Sequence, residues 1–79
     1  MKVIAIDDEP IALNIIERYC ERRGGIVLET YSKPRMGMQR IREWLPDIVL
    51  LDIEMNGTSG IELARQLPSS CCLIFTTAY

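Results

Sequence analysis

Two short apolar runs in this sequence each close on carboxylates. KVIAI, residues 2–6, is followed by Asp7, Asp8 and Glu9, and IVLLD, residues 48–52, ends on Asp52. Runs this rich in β-branched residues suit strands buried on both faces of a parallel sheet. Neighbouring strands lie ~4.8 Å apart, so if these two are neighbours Asp7, Asp8 and Asp52 project into one small volume. Like charges that close either raise a pKa or bind a cation. An oxygen-only set suits Mg²⁺ in octahedral geometry at ~2.0–2.1 Å, with water at the remaining positions. Position alone leaves the alternative open that these acids solvate a rim and cap the helices behind them. Thr77 closes a further apolar run, CCLIFTT at 71–77, and adds a hydroxyl to the same set of strand ends.

Such acids need a sheet to hold them, and the chain alternates strand and helix to supply it. Pro10 fits a first helical turn, and Ala12, Ile15, Ile16, Tyr19 and Cys20 recur at helical spacing up to a Gly24-Gly25 stop, which predicts a helix with those residues inward. IVLETY at 26–31 is a second strand; Ser32 can cap a helix over 33–45 with Met38, Ile41, Trp44 and Leu45 inward, ended by Pro46. After the strand at 48–52 comes a loop, IEMNGTSG, and Ser59 can cap a helix through Leu67 with Ile61, Leu63, Ala64 and Leu67 available for packing. Met36, Met38 and Met55 read as core filler and loop packing. Strand, helix and strand joined by short turns implies right-handed crossovers, a parallel sheet and helices on both faces. In such sheets function gathers at the carboxyl ends of the strands.

Composition removes other classes. With 79 residues the chain holds one domain at most, and 48% hydrophobic with 25% charged residues is neither disordered nor membrane-spanning. A net charge of −2 offers no global field for nucleic acid. Arg18, Arg22, Arg23, Arg35, Arg40 and Arg42 interleave with Glu17, Glu21 and Glu43 as solvated helix faces do. The absence of histidine excludes a Ser/His/Asp triad, a His-ligated metal and a phosphohistidine carrier. Three cysteines, two of them adjacent, cannot all pair and read as reduced thiols. No signal peptide is readable in MKVIAIDDEP, so a cytoplasmic address is expected.

Asp-Asp-Glu-Pro after the first strand, IVLLDIEM with its methionine three positions beyond Asp52, Gly60, and a strand ending FTTA together resemble the response-regulator receiver domain across the whole chain. IVLLDIEM and IFTTAY are further similar to receivers that precede LytTR-type DNA-binding domains. The resemblance implies a flavodoxin-like doubly wound α/β fold of order 2-1-3-4-5, which sets the first strand beside the third. It implies two-component signal transduction in which Asp52 is the phosphoacceptor, attacking in line to form an aspartyl phosphate while Mg²⁺ neutralises the equatorial oxygens. Asp8 would ligate the metal directly, Asp7 through water, Glu54 through its backbone carbonyl, and Thr77 would be the switch hydroxyl. A sensor histidine kinase is the implied phosphodonor, and the chain an acceptor rather than an enzyme.

Some features depart from that pattern. Asn56 stands where the family usually has proline. The family's fifth strand, last two helices, strand-five lysine and aromatic switch residue have no counterpart in these residues, and neither Lys2 nor Lys33 is placed to act as that lysine. Residues 1–79 are therefore expected to form a truncated receiver with sheet order 2-1-3-4. Its fourth strand, with no charge or proline, would form an edge prone to pairing, so a homodimer through that edge is expected, with no nucleic acid or membrane bound directly. The rival function is a non-catalytic interaction module. A haloacid-dehalogenase-type phosphatase would want aspartate two positions after its nucleophile, where this chain has Glu54.

Overall fold

A computed structural model describes residues 1–55 and 57–76. In chain order it contains β1 (Lys2–Ile6), α1 (Pro10–Arg23), β2 (Val27–Tyr31), α2 (Pro34–Trp44), β3 (Ile48–Asp52), β4 (Glu54–Met55), β5 (Thr58–Ser59), α3 (Gly60–Ala64) and β6 (Cys72–Thr76). The main sheet is four-stranded in the order β2-β1-β3-β6, and all its pairings are parallel. This is the expected 2-1-3-4 order, with β6 as the fourth strand. β4 and β5 form a separate antiparallel pair inside the segment anticipated as loop. Two strand starts shift by one residue: β2 begins at Val27 rather than Ile26, and β6 at Cys72 rather than Cys71.

Helices cover both faces of the sheet, as two adjacent residues of β2 show. Thr30 bonds Glu17 of α1, whereas Glu29 binds Arg40 of α2, and successive strand residues point to opposite faces. The buried core lies on the α2 side, where Ile4, Ile6, Val49 and Leu51 of the central strands meet Met38, Ile41 and Met55. Gly37 lets α2 approach this closely, because a Cβ there would stand 2.7 Å from Ile6 Cγ1. A polar network from β1 and β2 fixes the same helix. Arg40 forks onto Glu29 at 2.8 and 3.0 Å, Tyr31 donates its hydroxyl to Glu29, and Lys2 Nζ donates to the Trp44 carbonyl.

Several inward assignments are corrected. On α1 the buried residues are Leu13 and Cys20, whereas Ile15 and Tyr19 are 64% and 65% exposed. Helical spacing admits a second stripe, Ile11-Ile15-Tyr19, one third of a turn away, and periodicity does not say which stripe faces the sheet. Leu45, Ile61 and Met36 are exposed as well. Leu45 is the left-handed C-cap of α2, with φ of 51° and its amide donating to the Ile41 carbonyl; this costs ~1–2 kcal/mol for a non-glycine residue. Neither serine acts as a side-chain cap: α2 starts after Lys33 with proline in its first turn, and Ser59 precedes α3 without a capping bond. α3 ends at Ala64 and tightens beyond it, the amides of Gln66 and Leu67 donating to carbonyls three residues back. No helix among the described residues is long and apolar enough to cross a membrane.

Candidate functional site

The sheet register builds the site. Ile6 of β1 aligns with Leu51 of β3, so the residues that follow them, Asp7 and Asp52, emerge side by side. One carboxylate oxygen from each of Asp7, Asp8 and Asp52 lies within 4.8 Å of the others. Asp7 and Asp52 are only 7% and 8% exposed, which makes them the buried carboxylates of the described residues. Both strand ends use the same local device. Asp7 Oδ1 accepts the Glu9 amide at 2.9 Å and Asp52 Oδ1 accepts the Glu54 amide at 3.2 Å, each an aspartate turn onto the backbone two residues on.

Neighbouring elements lock these ends. The Asp7 amide donates to the Tyr31 carbonyl of β2, and the Ile53 amide donates to the Thr76 carbonyl of β6. Behind Asp52 the first turn of α3 rests on the chain itself: the Gly60 amide donates to the Ile53 carbonyl at 2.9 Å, and a Cβ on Gly60 would stand 2.8 Å from Ile53 Cα. Only glycine lets α3 begin there.

Asp7, Asp8 and Asp52 thus come together as the sequence suggested. Glu54 is exposed on the β4–β5 hairpin, and its amide, not its carboxylate, engages Asp52. Thr77 and Asn56 lie outside the described residues. Thr76 aligns with Asp52 in the register. The close approach at Gly60 had no physical signal in the sequence beyond a glycine near a helix start.

Burial raises the Asp7 carboxyl above the usual range, opposed by the Glu9 amide and reinforced by the charges of Asp52 and Asp8. Three acids held this tightly fit a hard cation. Oxygens about a bound Mg²⁺ span roughly 3–4 Å, so carboxylates within 4.8 Å can be joined by direct contact or through its waters. The raised Asp7 pKa also fixes the sign of a pH effect. The folded state holds that proton more tightly than the unfolded chain, so without metal the ionisation weakens the fold as pH rises from the unfolded to the folded pKa. Asp7→Asn keeps the oxygen that accepts the Glu9 amide and removes the repulsion. In calorimetry without divalent ions at neutral pH, the expected result is a midpoint raised by about 4–8 °C, the equivalent of ~1 kcal/mol, with the gain shrinking in acid.

A parallel doubly wound sheet with a buried carboxylate cluster at its carboxyl ends defines a class of α/β domain whose chemistry sits on those strand ends. Within that class, the chain belongs to the response regulator receiver domain family, whose model matches residues 3–79. A response regulatory protein of Yersinia pestis is 37% identical over 82 residues, covering 100% of this chain and 34% of that protein. The positive alginate biosynthesis regulatory protein of Pseudomonas aeruginosa is 37% identical over 84 residues, again covering 100% of this chain and 34% of the relative. Among solved structures, the complex of histidine kinase ThkA with response regulator protein TrrA matches with a TM-score of 0.84 at 28% identity, covering 99% of this chain and 69% of the matched one. The chain spans about a third of the length of these two relatives.

Proposed function

We propose that this chain is a phosphoryl-accepting module of two-component signalling and that Asp52 is its acceptor. The observation that carries the reading is the meeting of Asp52 with Asp7 and Asp8 within 4.8 Å at the ends of adjacent strands. One Asp52 oxygen forms the new O–P bond as the bond from phosphorus to the donor's leaving group breaks, giving an aspartyl phosphate. The Glu54 amide at 3.2 Å orients the attacking carboxylate, and Asp7, Asp8 and Asp52, with the Glu54 carbonyl, are the groups that would hold Mg²⁺. Bound there, Mg²⁺ would supply positive charge against the phosphoryl oxygens. Thr77, one residue past the position aligned with Asp52, supplies the responding hydroxyl in this reading. The donor is a sensor histidine kinase, in keeping with the kinase complex of the TrrA relative, and the setting is cytoplasmic. The chain accepts a group and is not itself an enzyme.

Incubation with acetyl phosphate and Mg²⁺, borohydride trapping and peptide mass spectrometry test this. The label is expected on Asp52 and lost in Asp52→Asn. Label on Asp7, Asp8 or Asp47, or full labelling of Asp52→Asn, would overturn the assignment.

A second reading, an interaction module working by self-association, is supported by β6. Among the described residues β6 pairs on one side only, and its Ile74 and Phe75 are 45% and 41% exposed. Pairing of two β6 edges about a two-fold axis would cover both. Light scattering of the 79-residue chain at micromolar concentration is expected to give a dimer, reduced to monomer by Phe75→Lys. A monomer in the parent at every concentration would exclude this reading.

A further inference from the structure

A cleft of about 310 Å³ lies between α2 and the β5–α3 segment. Its lining is Pro34, Arg35, Met38, Arg42, Thr58, Leu63 and Gln66, a set without an acid. Arg35 and Arg42 are seven residues apart, about two helical turns, and so share one side of α2. Both are exposed, and among the described residues neither forms an ion pair, whereas Arg40 is taken by Glu29 and Arg65 lies beside Glu62. Between them, buried Met38 and half-buried Leu63 offer an apolar floor, and a methionine adapts to whatever rests on it. The cleft is therefore basic along its α2 wall and apolar beneath, on a chain whose net charge is −2.

We propose that this cleft docks an acidic peptide segment of a partner protein, with carboxylates on Arg35 and Arg42 and an aliphatic side chain over Met38 and Leu63. Charge complementarity selects an acidic partner, and the apolar floor favours a peptide over a polyphosphate chain. The site communicates with the acids by a short route. Thr58 pairs with Met55, and the adjoining Glu54 gives its amide to Asp52, so a peptide packed on Thr58 holds the hairpin that orients the Asp52 carboxylate.

The probe is a fluorescein-labelled ten-residue peptide of alternating glutamate and leucine, titrated with the 79-residue chain by anisotropy. The Arg35→Glu/Arg42→Glu double variant is expected to bind about tenfold more weakly or worse, at the few-fold per charge typical of exposed pairs. Arg65→Glu carries a charge reversal outside the cleft and should bind as the parent does. Thr58 and Glu54 amide resonances are expected to shift on binding in the parent and to stay in place in the double variant. A peptide of glutamate and serine, and an oligothymidylate of equal charge, should both bind several-fold more weakly. The proposal is overturned by absence of binding at millimolar protein, by an equal loss in Arg65→Glu, or by either control probe matching the leucine peptide. Circular dichroism of each variant against the parent separates a lost contact from a lost fold.

Discussion

Alanine at Gly60 is expected to destabilise the domain by about 2–3 kcal/mol, measured as a fall in the urea midpoint. The added methyl would press on the backbone of Asp52 and Ile53, 2.8 Å from Ile53 Cα and closer still to the Asp52 carbonyl oxygen. Backbone has no rotamer to escape into, so α3 must lift, stretching the 2.9 Å bond from the Gly60 amide to Ile53. Gly37 provides the contrast. There the obstructing atoms are side-chain atoms, Ile6 Cδ1 and Cγ1 with Tyr31 Cβ behind them, and no backbone, so Gly37→Ala should cost less. Gly57→Ala is the control for backbone freedom, because φ is 73° and nothing lies within 4 Å of a Cβ there; about 1 kcal/mol is expected from the left-handed conformation alone. A Gly60→Ala variant no worse than Gly57→Ala would show that α3 does not rest on the strand end.

The second large effect is the response to Mg²⁺. Millimolar Mg²⁺ is expected to raise the melting midpoint of the parent, by ~2.7 kcal/mol where the ion is at a hundred times its dissociation constant, because the cluster exists only in the folded sheet. Asp8→Asn and Asp52→Asn each remove one of the converging carboxylates. Both should start from a metal-free midpoint no lower than the parent's, since repulsion is relieved, and then show little or no increment. The increment, not the midpoint, is the diagnostic quantity. Equal increments in all three proteins would place the ion elsewhere.

The central strands were legible because burial on both faces leaves little choice of residue. β1 and β3 read as unbroken apolar runs, and their ends fell where carboxylates begin. Convergence of Asp7 and Asp52, 45 positions apart, required only that those strands be neighbours, which the family resemblance supplied and the register bears out. The helix faces were less legible. Ile15 and Tyr19 are apolar at the right spacing yet lie outward, because a stripe of that kind specifies that something covers it and not which surface does. Caps failed for a different reason: α2 begins one residue later than Ser32 would cap, with Lys33 at the N-cap and Pro34 in the first turn, and Ser59 sits at the N-cap of α3 without making the bond. Gly60 and the alignment of Thr76 with Asp52 depend on how close one backbone passes another, which residue type alone does not encode.

The chain carries one tryptophan, and its setting gives the molecule a built-in optical gauge. Trp44 lies at the amino end of the sheet, with Lys2 Nζ and the Arg40 guanidinium each 5.2 Å from its ring centroid. β1 separates that ring from the acids by about 17 Å, the length of five strand residues. Emission from Trp44 should therefore follow the integrity of the sheet and ignore small changes at the acidic end. A ligand that shifts the emission spectrum at once has altered the whole domain; one that moves only the unfolding midpoint has acted locally.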